Sequence, residues 1–132
     1  MKMVTSKFPD TITPCITLKL PWPPSVNNYY GRTRTGSVFI KKEGKVFRET
    51  VVAALAEFVR DREPLTQRLQ VWIEAYPPDR RRRDLDNIRK ALFDALTHAR
   101  IYEDDCLIDD DRCVRGEVSK PGFVRVHIGI MP

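Results

Sequence analysis

The sequence has few of the residues that build zinc sites or disulfide frameworks. Its 132 residues include two histidines and three cysteines, and no two cysteines have C-x-x-C spacing. His98 and His127 lie far apart, and neither has a second nitrogen or sulfur ligand at zinc spacing, so a zinc site is not expected. An odd number of cysteines without an export signal predicts reduced thiols.

Long apolar runs are also missing. No segment approaches the roughly 18 consecutive apolar residues that a membrane helix needs. The N-terminal stretch MKMVTSKFPDTITPC has no apolar run like that of a signal peptide. We therefore expect a cytoplasmic protein without a membrane partner. Because no repeat or linker interrupts the chain, we expect one domain at 15–132 behind a flexible leader at 1–14.

Charge is present in excess of one sign, with 23 lysines and arginines against 18 acidic residues and a formal net charge of +5. A solvated basic surface would account for this excess. A polyanionic partner would also account for it, because each cation set against a phosphate releases condensed counterions. The totals leave both interpretations open, so the distribution of the charges must decide.

Apolar periodicity predicts strands and two main helices. Strand patterns occur in CITLKLPW, GSVFI, LQVWIEAY (69–76) and FVRVHIGI, and IYEDDCLIDDDR is predicted as loop and short strand. Helical spacing marks 45–60 and a segment that starts near Asp86, and Asn27-Asn28 favours a turn. The order predicts an α/β fold (an α+β sandwich), with two main helices packed on a mixed β-sheet.

The stretch DRRRRDLDNIRK (79–90) sets two carboxylates beside four arginines. In an extended segment, Asp84 and Asp86 would point to one side with Cα atoms about 6.5–7 Å apart. Two such carboxylates can converge on a hard divalent cation such as Mg²⁺. Alternatively, Asp86 is the N-cap of the helix and Asp84 a partner for the arginines, and this interpretation stays open.

Lys90 follows Asp86 by four residues, on the helix face opposite the apolar stripe. A lysine there can orient the carboxylates, contact a phosphate or stabilise a charged transition state. An ordinary i,i+4 salt bridge with Asp86 is the alternative. Phe93 falls on the same side and is either a stacking platform for a base, a dimer contact, or a residue half-buried against a loop.

A second acidic cluster lies at 103–111, where EDDCLIDDD has six acids in nine positions. If this segment folds beside Asp84 and Asp86, several carboxylates meet at one point near the arginines. A divalent cation at the centre would make such repulsion tolerable. Arginines for a phosphate backbone and carboxylates for a metal together predict metal-assisted phosphodiester hydrolysis.

Three segments, LPWPPSVNNYYGR, YPPDRRRRDLDNIRKALFDAL and IYEDD, resemble the RusA-type Holliday-junction resolvases, and the resemblance runs from Ile16 to about Ile128. It implies a small α/β homodimer that binds four-way DNA junctions and makes paired nicks with Mg²⁺ or Mn²⁺. The family's three catalytic, metal-binding aspartates match Asp84, Asp86 and Asp105, and its functional lysine matches Lys90.

The resemblance also extends to DNA contacts, through the arginine run and the PPS-x-N turn. The DNA-binding residues that we predict are Asn27, Arg32, Lys41, Lys42, Arg80, Arg81, Arg82 and Arg83. Such a protein would be associated with the nucleoid, and the two-fold symmetry of a junction favours a homodimer. The alternatives are a non-catalytic branched-DNA-binding protein and a nuclease that acts on RNA or ordinary duplex. The acids at 109–111 and the long leader depart from the family pattern.

Overall fold

The computed structural model describes residues 14–132, which divide into two compact units. One unit contains 14–22, 67–82 and 106–132, and the other contains 23–66 and 83–105. In chain order the elements are β1 (Ile16–Pro21), α1 (Val26–Tyr29), β2 (Tyr30–Arg32), β3 (Val38–Ile40), α2 (Lys42–Val59), β4 (Leu69–Tyr76), α3 (Asp86–His98), β5 (Ile108–Arg115) and β6 (Phe123–Ile130). Residues 1–13 of the predicted leader lie outside the described residues.

The first unit is a four-stranded mixed sheet with the strand order β1-β6-β4-β5. Strand β4 pairs antiparallel with β6 and parallel with β5, and β6 pairs antiparallel with β1. Strand β4 has the bounds predicted for it and is buried along most of both faces. The predicted mixed sheet is confirmed, as are the two main helices, α2 and α3.

A buried polar network crosses this sheet. The Glu74 side chain is 1% exposed; its Oε2 accepts a hydrogen bond from the Tyr76 hydroxyl at 2.7 Å, and its Oε1 lies 2.8 Å from His127 Nε2. Nδ1 of His127 shares a hydrogen bond of 3.1 Å with the Thr17 hydroxyl. Burial alone would raise the pKa of Glu74, but the hydrogen bonds with Tyr76 and His127 and the charge of Arg125 lower that pKa below its ordinary value.

The acids at 109–111 belong to β5, so the loop and short strand predicted for 101–112 are confirmed, with a strand that begins at Ile108 and continues to Arg115. Asp109 Oδ2 accepts a hydrogen bond of 2.9 Å from Arg68 Nε, and Asp110 accepts one of 3.0 Å from the Gln70 side chain. Arg68, directly before β4, and Gln70, within β4, thus bind two acids whose role the sequence alone leaves unexplained.

The second unit is built around α2 and α3, which pack against each other. The apolar stripe predicted for α3 is buried at Ile88, Ala91, Leu92, Ala95 and Leu96. Helix α2 begins three residues before the predicted start, and its Gly44 lies against α1. A side chain at Gly44 would place its Cβ 2.7 Å from the Tyr29 carbonyl oxygen, so glycine permits this close approach.

Asp94 joins the three helices of this unit. Its Oδ2 pairs with Arg48 Nη2 at 2.8 Å and also accepts a hydrogen bond from the Tyr29 hydroxyl. Tyr29 closes α1, a single helical turn at the place where the sequence predicted a turn through Asn27-Asn28. Within residues 14–132, every helix falls short of the length and apolar character that a membrane span needs.

Candidate functional site

A cleft of about 560 Å³ lies within the second unit. Four residues predicted from the sequence to contact DNA or to act in catalysis line it: Asn27, Arg32, Lys41 and Lys90. They come from α1, β2, the residue before α2, and the second turn of α3. The cleft volume falls within the range of about 300–1,000 Å³ that is typical of ligand sites.

Local hydrogen bonds hold the cleft walls in position. The backbone N–H of Lys41 donates to the Tyr29 carbonyl at 2.8 Å, which ties the start of α2 to the end of α1. Tyr29 is fully buried, and its hydroxyl is held by Asp94. Asn27 and Lys41 are therefore fixed to one another through the same buried tyrosine.

Sequence reasoning missed the aromatic part of this cleft. Tyr30, Val38 and Phe39 also line it, and they lie on the two-stranded hairpin formed by β2 and β3. GSVFI was predicted as a short strand, which β3 confirms, but periodicity in a three-residue strand does not indicate which face is exposed. The sequence feature that could have indicated this surface is Phe39, which stands two residues before the basic pair Lys41-Lys42.

The alternative interpretation required a salt bridge between Lys90 and Asp86, and the two side chains do not form one. Its ammonium nitrogen lies 5.2 Å from the centroid of the Tyr30 ring, a cation–π distance. Asp86 instead pairs with Arg89, with Nη1 to Oδ1 at 3.0 Å. The N-cap interpretation of Asp86 is also wrong by one residue, because Leu85 occupies the N-cap and Asp86 is the first helical residue.

The Asp105 carboxyl group interacts electrostatically with two residues that line the cleft, Lys90 and Tyr30. Desolvation of its carboxyl group, a hydrogen bond with Asp104 and the charges of Asp104 and Asp94 raise the pKa of Asp105 above its ordinary value. The positive charge of Lys90 acts in the opposite direction. The negative charge of Asp105 in turn contributes to the raised pKa of Tyr30, whose largest cause is burial. Asp105, Lys90 and Tyr30 thus form one interacting group.

The three aspartates matched to the family pattern have the chemistry of ligands for a hard cation. Asp84 and Asp105 are exposed, and the Asp86 side chain is 87% exposed, so all three carboxylates are accessible to a divalent ion. Within 14–132, no three His, Cys, Asp or Glu side chains stand close enough to hold an ion in the arrangement described. Ligation would therefore require these exposed side chains to turn toward one another.

The arginine run forms part of the irregular connection between β4 and α3. Arg80, Arg81 and Arg82 are exposed, Arg83 is half-buried, and the backbone N–H of Arg81 donates to Asp79 Oδ1 at 2.8 Å. None of these arginines is among the described residues that line the cleft. They present positive charge to solvent in a segment without helix or strand.

Two further predicted positions also lie away from the cleft lining. Lys42 is exposed at the first position of α2. Phe93 is half-buried, and its carbonyl oxygen accepts a hydrogen bond of 2.8 Å from the Tyr102 hydroxyl. The aromatic rings that line the cleft are those of Tyr30 and Phe39, and the ring of Phe93 is not among them.

Comparison with known proteins gives a consistent set of relatives. A family model described as "Endodeoxyribonuclease RusA" matches residues 21–131. The crossover junction endodeoxyribonuclease RusA of Shigella sonnei (strain Ss046) is 42% identical over 111 residues, which cover 84% of this chain and 91% of that protein. The proteins of the same name from Escherichia coli (strain K12) and Enterobacteria phage 82 are 41% and 42% identical with the same coverage.

Proposed function

Because this chain belongs to the RusA family of endodeoxyribonucleases, we propose that it cuts DNA junctions with the charged groups of the Lys90 cleft and of the segment that leads into α3. The activity is hydrolysis of DNA phosphodiester bonds, and the substrate is the Holliday junction. The observation that carries our assignment of the site is the cleft itself, which groups Asn27, Arg32, Lys41 and Lys90 within one compact unit.

We assign metal binding to Asp84, Asp86 and Asp105, with Mg²⁺ as the ion and Mn²⁺ as a substitute. When bound, a divalent ion would polarise phosphate oxygens and lower the pKa of the water that it contacts. The carboxylates supply hard oxygen ligands, and the raised pKa of Asp105 reflects partly the negative charge of neighbouring acids that a cation would offset. Arg89 pairs with Asp86 on the first turn of α3.

Lys90 contributes positive charge at the phosphate that is cut. Its ammonium group stands over the Tyr30 ring and in the field of Asp105, so the side chain is positioned before DNA arrives. A fixed cation that faces developing negative charge lowers the barrier more than a mobile one, because little reorganisation accompanies the reaction. We therefore place Lys90 beside the scissile phosphate.

The remaining basic residues hold the DNA backbone. Arg80, Arg81 and Arg82 are exposed on an irregular segment, where they can reach successive phosphates. Arg32 and Lys41 line the cleft, and Lys42 is exposed directly after Lys41. Contacts of this kind provide affinity and register without reading sequence.

We further propose that the active form is a homodimer. A four-way junction has two-fold symmetry and two matched cuts need two sites, which an isologous dimer supplies. Junction DNA as substrate also implies action in the cytoplasm, on the nucleoid. Molar mass measured by light scattering, alone and with junction DNA, tests the dimer: one copy per junction at saturation would contradict it.

A nicking assay tests the nuclease assignment. A synthetic four-way junction and a linear duplex are incubated with Mg²⁺, Mn²⁺ or EDTA and with wild type, Asp84→Asn or Asp61→Asn. Asp61 is an exposed acid after α2 and serves as the matched control. We expect paired, metal-dependent junction nicks from wild type and Asp61→Asn only, with Asp84→Asn still binding the junction. Undiminished cutting by Asp84→Asn would contradict our site, and junction binding by wild type without nicks in either metal would favour the non-catalytic alternative.

A further inference from the structure

The Phe39 ring forms an open aromatic surface at the edge of the cleft. It is 45% exposed, beside Val38 at 57%. One side of the ring lies on the backbone of Gly31, its partner across the hairpin, where an added Cβ would stand 2.5 Å from ring atom Cζ. The ring is therefore supported from beneath and exposed from above, which is the arrangement that a stacking platform needs.

The hairpin that presents Phe39 has an ordered turn. The backbone N–H of Thr33 donates to the Ser37 carbonyl at 2.8 Å, and the N–H of Ser37 donates to the Thr33 hydroxyl at 3.1 Å. Gly36 adopts a φ of 90°, a conformation that favours glycine, and its N–H donates to the Thr33 carbonyl at 3.0 Å. Such a turn limits the freedom of the strand that carries Phe39.

The charged side chains among the described lining residues of this cleft are of one sign. Arg32, Lys41 and Lys90 line the same cleft, and no described lining residue is acidic. Asn27 adds an amide that can both donate and accept hydrogen bonds. An aromatic surface, three cations and one amide match the three parts of a nucleotide: the face of its base, its phosphates and the polar edge of its base.

Tyr30 has a different role from Phe39. Its ring packs edge-on against Tyr29, with centroids 4.6 Å apart, and Lys90 stands over it at 5.2 Å. Tyr30 is half-buried, so contacts within the protein already engage it. This leaves Phe39 as the aromatic residue of the cleft that is available to a ligand.

We propose that the cleft binds one unstacked nucleotide of the junction, with its base on the open face of Phe39, its flanking phosphates on Lys41 and Arg32, and its base edge on the amide of Asn27. This inference rests on the proposed function, because it takes the nucleotide from junction DNA. Binding there would hold the strand at a fixed point beside Lys90. Phe39 is then a positioning residue for the cut.

The test uses the full chain in EDTA, so that DNA is bound and not cut. A four-way junction carries 2-aminopurine, a fluorescent adenine analogue, at each nucleotide flanking the crossover in turn, and a labelled single strand is titrated in parallel. We expect a change in fluorescence at one junction position with wild type and with Phe39→Tyr, and none there with Phe39→Leu. Phe58→Leu makes the same change on a half-buried ring of α2, outside the cleft lining, and should behave as wild type.

Cleavage supplies the second readout. Without the stack, kcat/KM for junction cutting in Mg²⁺ should fall roughly tenfold or more in Phe39→Leu, as expected for one base–aromatic contact. Gly31→Ala should give a similar loss with Phe39 intact, because its new Cβ would displace the ring. Thermal unfolding of each variant verifies that it folds.

The outcomes separate the two claims. If Phe39→Leu gives the same fluorescence change as wild type and a kcat/KM within twofold of the wild-type value, the nucleotide site is wrong. The nuclease assignment would still stand. Equal losses in Phe58→Leu and Phe39→Leu would also overturn it. If wild type cuts no junction, the proposed function fails, while the labelled single strand still decides whether Phe39 stacks on a base.

Discussion

The ammonium nitrogen of Lys90 lies 5.2 Å from the centroid of the Tyr30 ring. This contact replaces the helical salt bridge with Asp86 that the sequence suggested as an alternative. Because an aromatic ring attracts a cation without neutralising it, Lys90 keeps its full charge for a phosphate. The relationship thus favours a role for Lys90 in DNA chemistry over a structural one.

Replacing Lys90 with methionine should separate cutting from binding. Lys90→Met keeps the apolar stem over Tyr30 and removes the charge, so we expect the single-turnover cutting rate to fall about 100-fold or more, with a smaller loss of junction affinity. Lys45→Met, at an exposed position of α2, is the matched control. A variant that cuts at the wild-type rate would remove Lys90 from the active site.

The arginine run should act through counterion release. If Arg82 contacts one phosphate, Arg82→Gln weakens junction binding and reduces the slope of log K against log salt concentration by about 0.9. Binding titrations at several salt concentrations measure this slope. Arg60→Gln, an exposed change at the end of α2 next to Glu57, should leave it unaltered. An unchanged slope in Arg82→Gln would mean that Arg82 meets no phosphate.

The pair formed by Arg48 and Asp94 should contribute to stability. Both side chains are 23% exposed and their closest atoms are 2.8 Å apart. Asp94→Asn weakens this pair and the hydrogen bond from Tyr29 together, so we expect the free energy of unfolding to fall by about 1–3 kcal/mol in urea denaturation. A double-mutant cycle with Arg48→Gln measures the coupling, and the exposed pair Arg60–Glu57 should show none by the same method. Additivity of the two changes at Arg48 and Asp94 would count against the contact.

Acid should destabilise the sheet through Glu74. Because its pKa is lower in the folded protein than the ordinary 4.5, the stabilisation is complete above about that value and is lost as the pH falls through the folded pKa. Glu74→Gln should be less stable at pH 7, and the difference between its unfolding free energy and that of wild type should shrink as the pH falls below 4.5. Glu49→Gln, on an exposed part of α2, should follow the wild-type curve. Parallel curves for wild type and Glu74→Gln would refute the assignment.

Much of the fold could be predicted because burial leaves a periodic trace. Ile16, Leu18 and Leu20 alternate with exposed residues in β1, and the α3 stripe recurs at helical spacing. The full length of β5, predicted only as a short strand, left no such trace, because its first half is acidic and the partners of those acids, Arg68 and Gln70, lie some 40 positions earlier in the chain. Long-range pairing of this kind cannot be derived from local sequence.

The sequence predicted the charged and amide residues of the candidate site, but it did not predict the cleft that they line. The sequence indicated Asn27, Arg32, Lys41 and Lys90 separately, and the fold brings them to one cleft. It did not indicate Phe39, because exposure of one ring on a three-residue strand depends on the hairpin and on Gly31 beneath it. The roles of the three aspartates stay predictions, since side-chain convergence on a cation is not encoded in spacing alone.

The polar network of the sheet also selects its alignment. Thr17 lies opposite His127 across β1 and β6, and Trp72 lies opposite His127 across β4 and β6. A slip of one residue would turn Glu74 to the other face of the sheet and separate it from His127. The partners of Glu74 on β6 are His127 and Arg125, and a slip would leave its buried carboxylate without them. The network therefore favours a single register of β1, β6 and β4. This specificity is separate from any contribution that the network makes to stability.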